Sequence, residues 1–490
     1  MKKYILILLV VVMGCGKDFL KEDPKGQYVG TGAISDGTTL EQLLIGAYGP
    51  IQSVFWVGQT DGGFINILGQ ADDICAIPKK AELAEFNTFT VSDANNRIIN
   101  LWQGLYRSIQ NTNGILEYAL KIVAKSPAEQ TKIDAVVGEA HWLRAYNYYY
   151  LVRFWGEVPL ILDANYSTAM LSVSKATIPV IYNQIVEDLK VAETMMYDVK
   201  PAPGRPNKGT AKAYLADVYL TMGGWPMKDN SKYALAAEKA KELIDNQAVY
   251  GFNINTPLDE IWSGKYPNTK RQSEEVFALY QNGGDSWNAI YYAAPRPEIE
   301  GEGGWDDYLP EIYFYKHFPA GKRKDITFQT QMHVNGSYVD YSTVGTKHPA
   351  YKKFFMYNSD GSNNVNWAGA GSIIYYRYAE VLLTYAEAVG RSGATDLTDA
   401  YKAVNAIKSR AGLPPLIPGL SPNVFADSVF NERGWEMAGE FTRYFDVKRM
   451  ELLEDVNSNA KKDADDYKVL GTIYKYLPIP GREKTLNPNL

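Results

Sequence analysis

The chain has 490 residues, 46% of them hydrophobic and 22% charged, the proportions of a well-packed globular protein and not of a disordered one. A formal net charge of −6 excludes an electrostatic footprint for nucleic acid. Tyrosine and tryptophan are abundant at 36 and 10 residues, whereas the two cysteines, Cys15 and Cys75, can build neither a disulfide framework nor a cysteine-based metal site.

Residues 1–14 predict a signal peptide: Lys2 and Lys3 precede an apolar run, Tyr4 to Met13, that is too short to span a bilayer, and small Gly14 follows. Gly14-Cys15 resembles a bacterial lipobox, with Val12 and Met13 in place of the commoner Leu and Ala types. That resemblance implies acylation of Cys15, which then anchors the mature chain to a membrane through the polar tether 15–26. A helix is expected at 40–52 inside an otherwise irregular stretch, 26–96. From Arg97 the apolar spacing turns helical, giving 97–125, 128–155, 179–197, 208–222 and 232–246. The second of these is apolar nearly all round, as a helix buried on every side must be, and Gly156 ends it. Between Gly251 and Ser372, Gly, Pro, Asn and aromatic residues dominate, with short strands expected at 275–280 and 338–342. Helices resume at 375–391, 397–411, 426–439 and 442–453.

Two helix pairs carry the small-and-large pattern of tetratricopeptide hairpins. Leu215-Ala216-x-x-Tyr219 precedes Ala236-x-x-x-Ala240-x-x-Leu243, and Tyr385-Ala386-x-x-Val389 precedes Ala400-x-x-x-Val404-x-x-Ile407. In each, a small Ala lets one backbone approach its neighbour while the large residue fills the adjoining gap. The expected fold is therefore mainly α, a tetratricopeptide-like helical hairpin scaffold with long irregular loops and a few short strands. The scaffold occupies about 97–250 and 373–455, and two excursions, about 27–96 and 251–372, pack on it within a single domain, 27–490.

Catalytic constellations are scarce. None of the four His (His141, His317, His333, His348) has metal-ligand spacing to another His or a Cys, so no metal or cofactor is expected. Gly204 to Thr210 lacks the Gly-Lys-Thr order of a phosphate loop. The doublets Asp72-Asp73, Glu274-Glu275 and Asp306-Asp307 are adjacent residues that point different ways, not a glycosidase pair separated across a sugar. The aromatic excursions suggest binding instead. A sugar ring stacks its C–H face on an aromatic plane and needs polar partners for its hydroxyls. Trp56, Trp287, Tyr291, Tyr292 and Trp305 supply the rings, and Asn66, Asp72, Asp73 and Asn288 the partners.

Read together, the motifs resemble one family, the SusD/RagB lipoproteins of Gram-negative glycan-uptake systems. Gly138-Glu139-Ala140-His141-Trp142-Leu143-Arg144-Ala145-Tyr146 through Val158-Pro159-Leu160 is similar to the family's GEA-x-FLRA-x-YYF…G-x-VPL stretch. Ser273-Glu274-Glu275-Val276-Phe277, Arg377-Tyr378-Ala379-Glu380-Val381-Leu382-Leu383, Glu432-Arg433 through Arg443-Tyr444-Phe445-Asp446-Val447-Lys448-Arg449, and Leu477-Pro478-Ile479-Pro480 follow in the family's order. The resemblance implies a non-catalytic protein on the outer-membrane surface, lipid-anchored at Cys15. Its cargo would be an oligosaccharide, or in the RagB-type alternative a peptide, handed to a SusC-like TonB-dependent transporter. It also implies that Glu139, Arg144, Glu380, Glu432, Arg443 and Asp446 are scaffold residues in buried ion pairs or helix-end bonds, since unpaired charges in such a core are very costly.

Overall fold

The computed structural model describes residues 34–51, 72–75, 81–164, 172–262, 269–280, 296–299, 303–355, 372–462 and 468–490. Helix α1 (Gly37–Ala47) starts at Asp36, whose carboxylate accepts from the backbone of Thr38 and Thr39. Helices α2 (Ala81–Thr88) and α3 (Asn96–Ala119) follow, the latter capped by the Asn95 side chain. Ser126 caps α4 (Pro127–Trp155), and Pro127 occupies the first turn, where a missing N–H costs nothing. The helix stops at Gly156, whose φ of 74° is in the left-handed region. Beyond it lie α5 (Ile178–Met195), α6 (Lys208–Gly223), α7 (Ser231–Asp245), α8 (Tyr378–Arg391), α9 (Thr398–Arg410), α10 (Pro422–Glu436) and α11 (Arg443–Arg449).

Each helix from α3 to α8 packs on its neighbour in the chain, and α8 also meets α9 and α10. The contact between α7 and α8 spans the intervening residues 246–377, so the row of helices is continuous and the second excursion projects from it. The neck of that excursion is a ladder. Strand β2 (Glu275–Tyr280) pairs antiparallel with β4 (Ser372–Arg377), from Ser372 opposite Tyr280 to Arg377 opposite Glu275; β1 (Ile74–Cys75) and β3 (Leu309–Pro310) form a second short ladder. The sequence placed a helix from residue 375. Instead Tyr375, Tyr376 and Arg377 belong to β4, because the run Ile373 to Tyr376 suits a buried pleated strand better than a first helical turn. Helix α10 starts four residues ahead of the expected 426, with Pro422 in its first turn.

The core absorbs much of the aromatic excess. Tyr146, Tyr148, Tyr149 and Trp142 of α4 are almost fully buried, and the Trp142 ring lies 4.6 Å from that of Phe277 on β2. Tyr149 donates to Asp217 at 2.8 Å, closing α4 on α6. The stretch dismissed as a phosphate loop is a brace. Asn207 caps α6 through Thr210, and Arg205 binds Glu139 of α4 and Glu41 of α1. Gly204 turns the chain there at a φ of 80°, and a Cβ on it would collide with the Ala278 carbonyl and the Tyr280 ring. Gly204→Ala is expected to lower unfolding free energy by about 3 kcal/mol, from a left-handed penalty of about 1–2 and an overpacking cost of about 1–3. A urea unfolding curve with an unchanged slope checks this.

All six charged residues assigned to the scaffold have oppositely charged partners. Glu139 pairs with Arg205, Arg144 with Asp188, Glu380 with Arg433, Glu432 with Arg323, Arg443 with Asp72, and Asp446 with Arg433 and Arg449. His141 shares Asp188 with Arg144.

Candidate functional site

The two aromatic excursions meet at one joint. Strand β1, just after residues 52–71, pairs with β3 of the second excursion, Ile74 opposite Pro310 and Cys75 opposite Leu309. The Tyr351 hydroxyl donates to the Asp73 carbonyl, and Lys462 pairs with Glu311, both side chains being about 1% exposed. Arg296, which follows residues 281–295, is buried with its guanidinium 4.3 Å from the Phe355 ring centroid. Its carbonyl accepts from Asp306 at 2.9 Å, and Gly304 passes so close that a Cβ there would collide with that same carbonyl. Asp73 and Arg296, each just after an aromatic-rich stretch of the sequence, are both buried.

The joint is bolted to the helices by charge. Arg443 at the start of α11 grips both oxygens of Asp72, at 2.7 and 2.8 Å. Burial raises the Asp72 pKa, but the Arg443 guanidinium outweighs it and holds the carboxyl below its ordinary value. Asp73 accepts from the Gly439 backbone at 3.0 Å. Burial, reinforced by the adjacent Asp72 charge, pushes the Asp73 carboxyl up to about 7.

These contacts correct part of the sequence reading. Asp73 is 0% exposed, so its carboxylate serves the joint and is not open to hydroxyls, while the partly exposed Asp72 is held bidentately by Arg443. Trp305 is partly buried and packs against the main core. Trp56, Asn66, Trp287, Asn288, Tyr291, Tyr292 and Cys15 lie outside the described residues. Arg443 and Tyr351 emerge as residues of the joint. No spacing signalled them, since their partners Asp72 and Asp73 are hundreds of positions away in the chain.

Behind the joint, the neck carries a second set of buried charges. Arg323, Lys353, Arg377 and Arg410 face Glu274, Glu432, Glu436 and Glu440, with Arg377 alone reaching Glu274 at 2.6 Å, Glu440 at 2.6 Å and Glu436 at 3.2 Å. Among the described residues no helix is long and apolar enough to cross a membrane.

Comparison with known proteins extends these observations over the whole chain. Residues 329–490 match the family described as the SusD family, and residues 18–220 match one described as starch-binding and associating with the outer membrane. The SusD-like protein P2 of Formosa agariphila is 26% identical, over 100% of this chain and 99% of its own length. The solved SusD homologue of Bacteroides thetaiotaomicron superposes with a TM-score of 0.79 at 19% identity, covering 97% of this chain and 99% of that one. A laminarin-binding SusD-like protein superposes with a TM-score of 0.74 at 22% identity, covering 92% and 98%. At such identities the two structures establish a shared fold.

Proposed function

Since the chain belongs to the SusD family, we propose that it is a non-catalytic glycan-binding lipoprotein of the outer-membrane surface. It captures oligosaccharide and passes it to a SusC-like TonB-dependent transporter, held at the membrane by lipid on Cys15. The observation that carries the reading is the joint: two aromatic-rich excursions, distant in sequence, are tied to one another by β1 and β3 and to the helices by Arg443. Preorganisation of stacking rings converts contact area into affinity. On this reading Trp287, Tyr291 and Tyr292 stack on the sugar and Asn288, Asn66 and Trp56 complete the site. The relatives support it, since one matched family is described as starch-binding and one structural neighbour as laminarin-binding.

Affinity gel electrophoresis against starch, laminarin and a wider polysaccharide panel tests the proposal. At least one polysaccharide is expected to retard the wild-type chain, and Trp287→Ala is expected to weaken that binding about tenfold or more, as loss of one stacking ring requires. Retardation by none, with calorimetric binding of extended peptides instead, replaces the glycan reading with the peptide one.

A further inference from the structure

An open cleft of about 270 Å³ lies on the helical scaffold between α3, the extended stretch after α4 and the short helix Gly481–Leu486. It falls just under the roughly 300–1,000 Å³ of typical small-molecule sites, which suits one or two rings and not a long chain.

Its chemistry is two-sided. Helix α3 brings Trp102 and Tyr106 to it, one turn apart, with ring centroids separated by 5.0 Å. Pro159 and Ile161 form the facing wall, and Leu486, 52% exposed, leaves apolar surface bare at the rim. The polar groups are half-committed. Gln103 donates to one oxygen of Glu483 at 3.1 Å, and Gln110 donates to the Ala164 carbonyl at 2.6 Å. Among the described residues, their amide oxygens and the second Glu483 oxygen remain as acceptors, and exposed Arg107 adds a guanidinium at the rim.

A wholly apolar ligand would desolvate these groups without pairing them, which is unfavourable. A strongly anionic ligand would meet Glu483 as well as Arg107. What fits is a ring with an apolar face and a girdle of hydroxyls, each of which both donates and accepts. We propose that this cleft is a second saccharide site, taking one or two pyranose units of a glycan whose capture by the chain is the reading given above. The aromatic residues of the two excursions play no part in it.

Calorimetry and crystal soaking with laminaritriose and maltotriose, on the wild-type chain, Trp287→Ala and the double variant Arg107→Ala/Gln110→Ala, test it. Arg107 is exposed and Gln110 only half-buried, so the double variant is expected to keep the wild-type melting temperature. The expected result is two classes of site in the wild-type chain for at least one trisaccharide, sugar density against Tyr106, and loss of about tenfold or more in one class in the double variant. Trp287→Ala should remove the other class. A single class that Trp287→Ala abolishes and the double variant retains overturns the second site while leaving glycan capture standing. Binding of neither trisaccharide to a wild-type chain that a polysaccharide of the panel retards overturns this site and leaves glycan capture standing, whereas retardation by none overturns both.

Discussion

Replacing Arg377 by methionine is expected to lower the free energy of unfolding by about 3–5 kcal/mol. Arg377 is about 1% exposed and is shared by Glu274, Glu436 and Glu440. Methionine fills similar volume, so the effect is electrostatic, not a cavity. The three carboxylates keep Arg410, Arg323 and Lys353, yet lose the cation that all of them hold in common. A buried ion pair is weak evidence for net stability against an apolar replacement of the whole set, whereas removing one member strands charge in low dielectric. Because Glu274 and Arg377 stand at the mouth of the β2–β4 ladder, the neck should loosen before the helices do. Hydrogen exchange is expected to speed up first in β2 and β4, with denaturant unfolding giving the magnitude. A loss under 1 kcal/mol would mean that water reaches the cluster and screens it.

Acid is expected to unfold the protein steeply between pH 4.5 and pH 2. Burial raises the Glu387 pKa, but the guanidinium groups of Arg449 and Arg391 outweigh it and hold the carboxyl at about 2, against an ordinary 4.5. Burial acts the same way on Glu436, and Arg410, Arg377 and Arg323 hold it at about 2. In this window the unfolded chain binds the extra protons, so stability is full above the unfolded pKa and is lost as pH falls. Each group contributes about 3 kcal/mol. Two buried carboxyls act in the opposite sense. Burial lifts Asp73 to about 7 and Glu380 to about 8, so the folded state holds their protons and stability declines as pH rises from about 4 toward 8. The melting temperature should therefore peak between about pH 4 and pH 4.5 and fall on both sides. A profile flat from pH 2 to 5 would show that Glu387 and Glu436 are not held ionised by their arginines.

The helical frame was legible because its determinants are local. The 3.6-residue spacing of Ile98, Leu101, Trp102 and Leu105, the stop at Gly156, and the Ala-and-large-residue hairpins each act within a few positions. The pairing of charges was legible in kind, since a core that buries Glu380 and Arg433 must match them. Their partners were not legible. Asp72 with Arg443, and Glu274 with Arg377, join residues that only the closed fold brings together. That same blindness to distant contacts made Asp73 look like a loop carboxylate free for ligand. The run at 372–377 misled for a different reason: a short apolar stretch beside a helix reads as its first turn, and only the facing strand β2 decides otherwise. The cleft on α3 left no signal of its own, because Trp102 and Tyr106 lie on an ordinary amphipathic helix and the other walls come from the stretch after α4 and from the far end of the chain.

The ladder that brings the two ends of residues 281–371 together also uncouples two evolutionary pressures. Lengthening a segment whose ends are already clamped costs little entropy, roughly 0.6 kcal/mol for each doubling. Descendants can thus change the length of this segment while the helices that carry it keep their register unchanged.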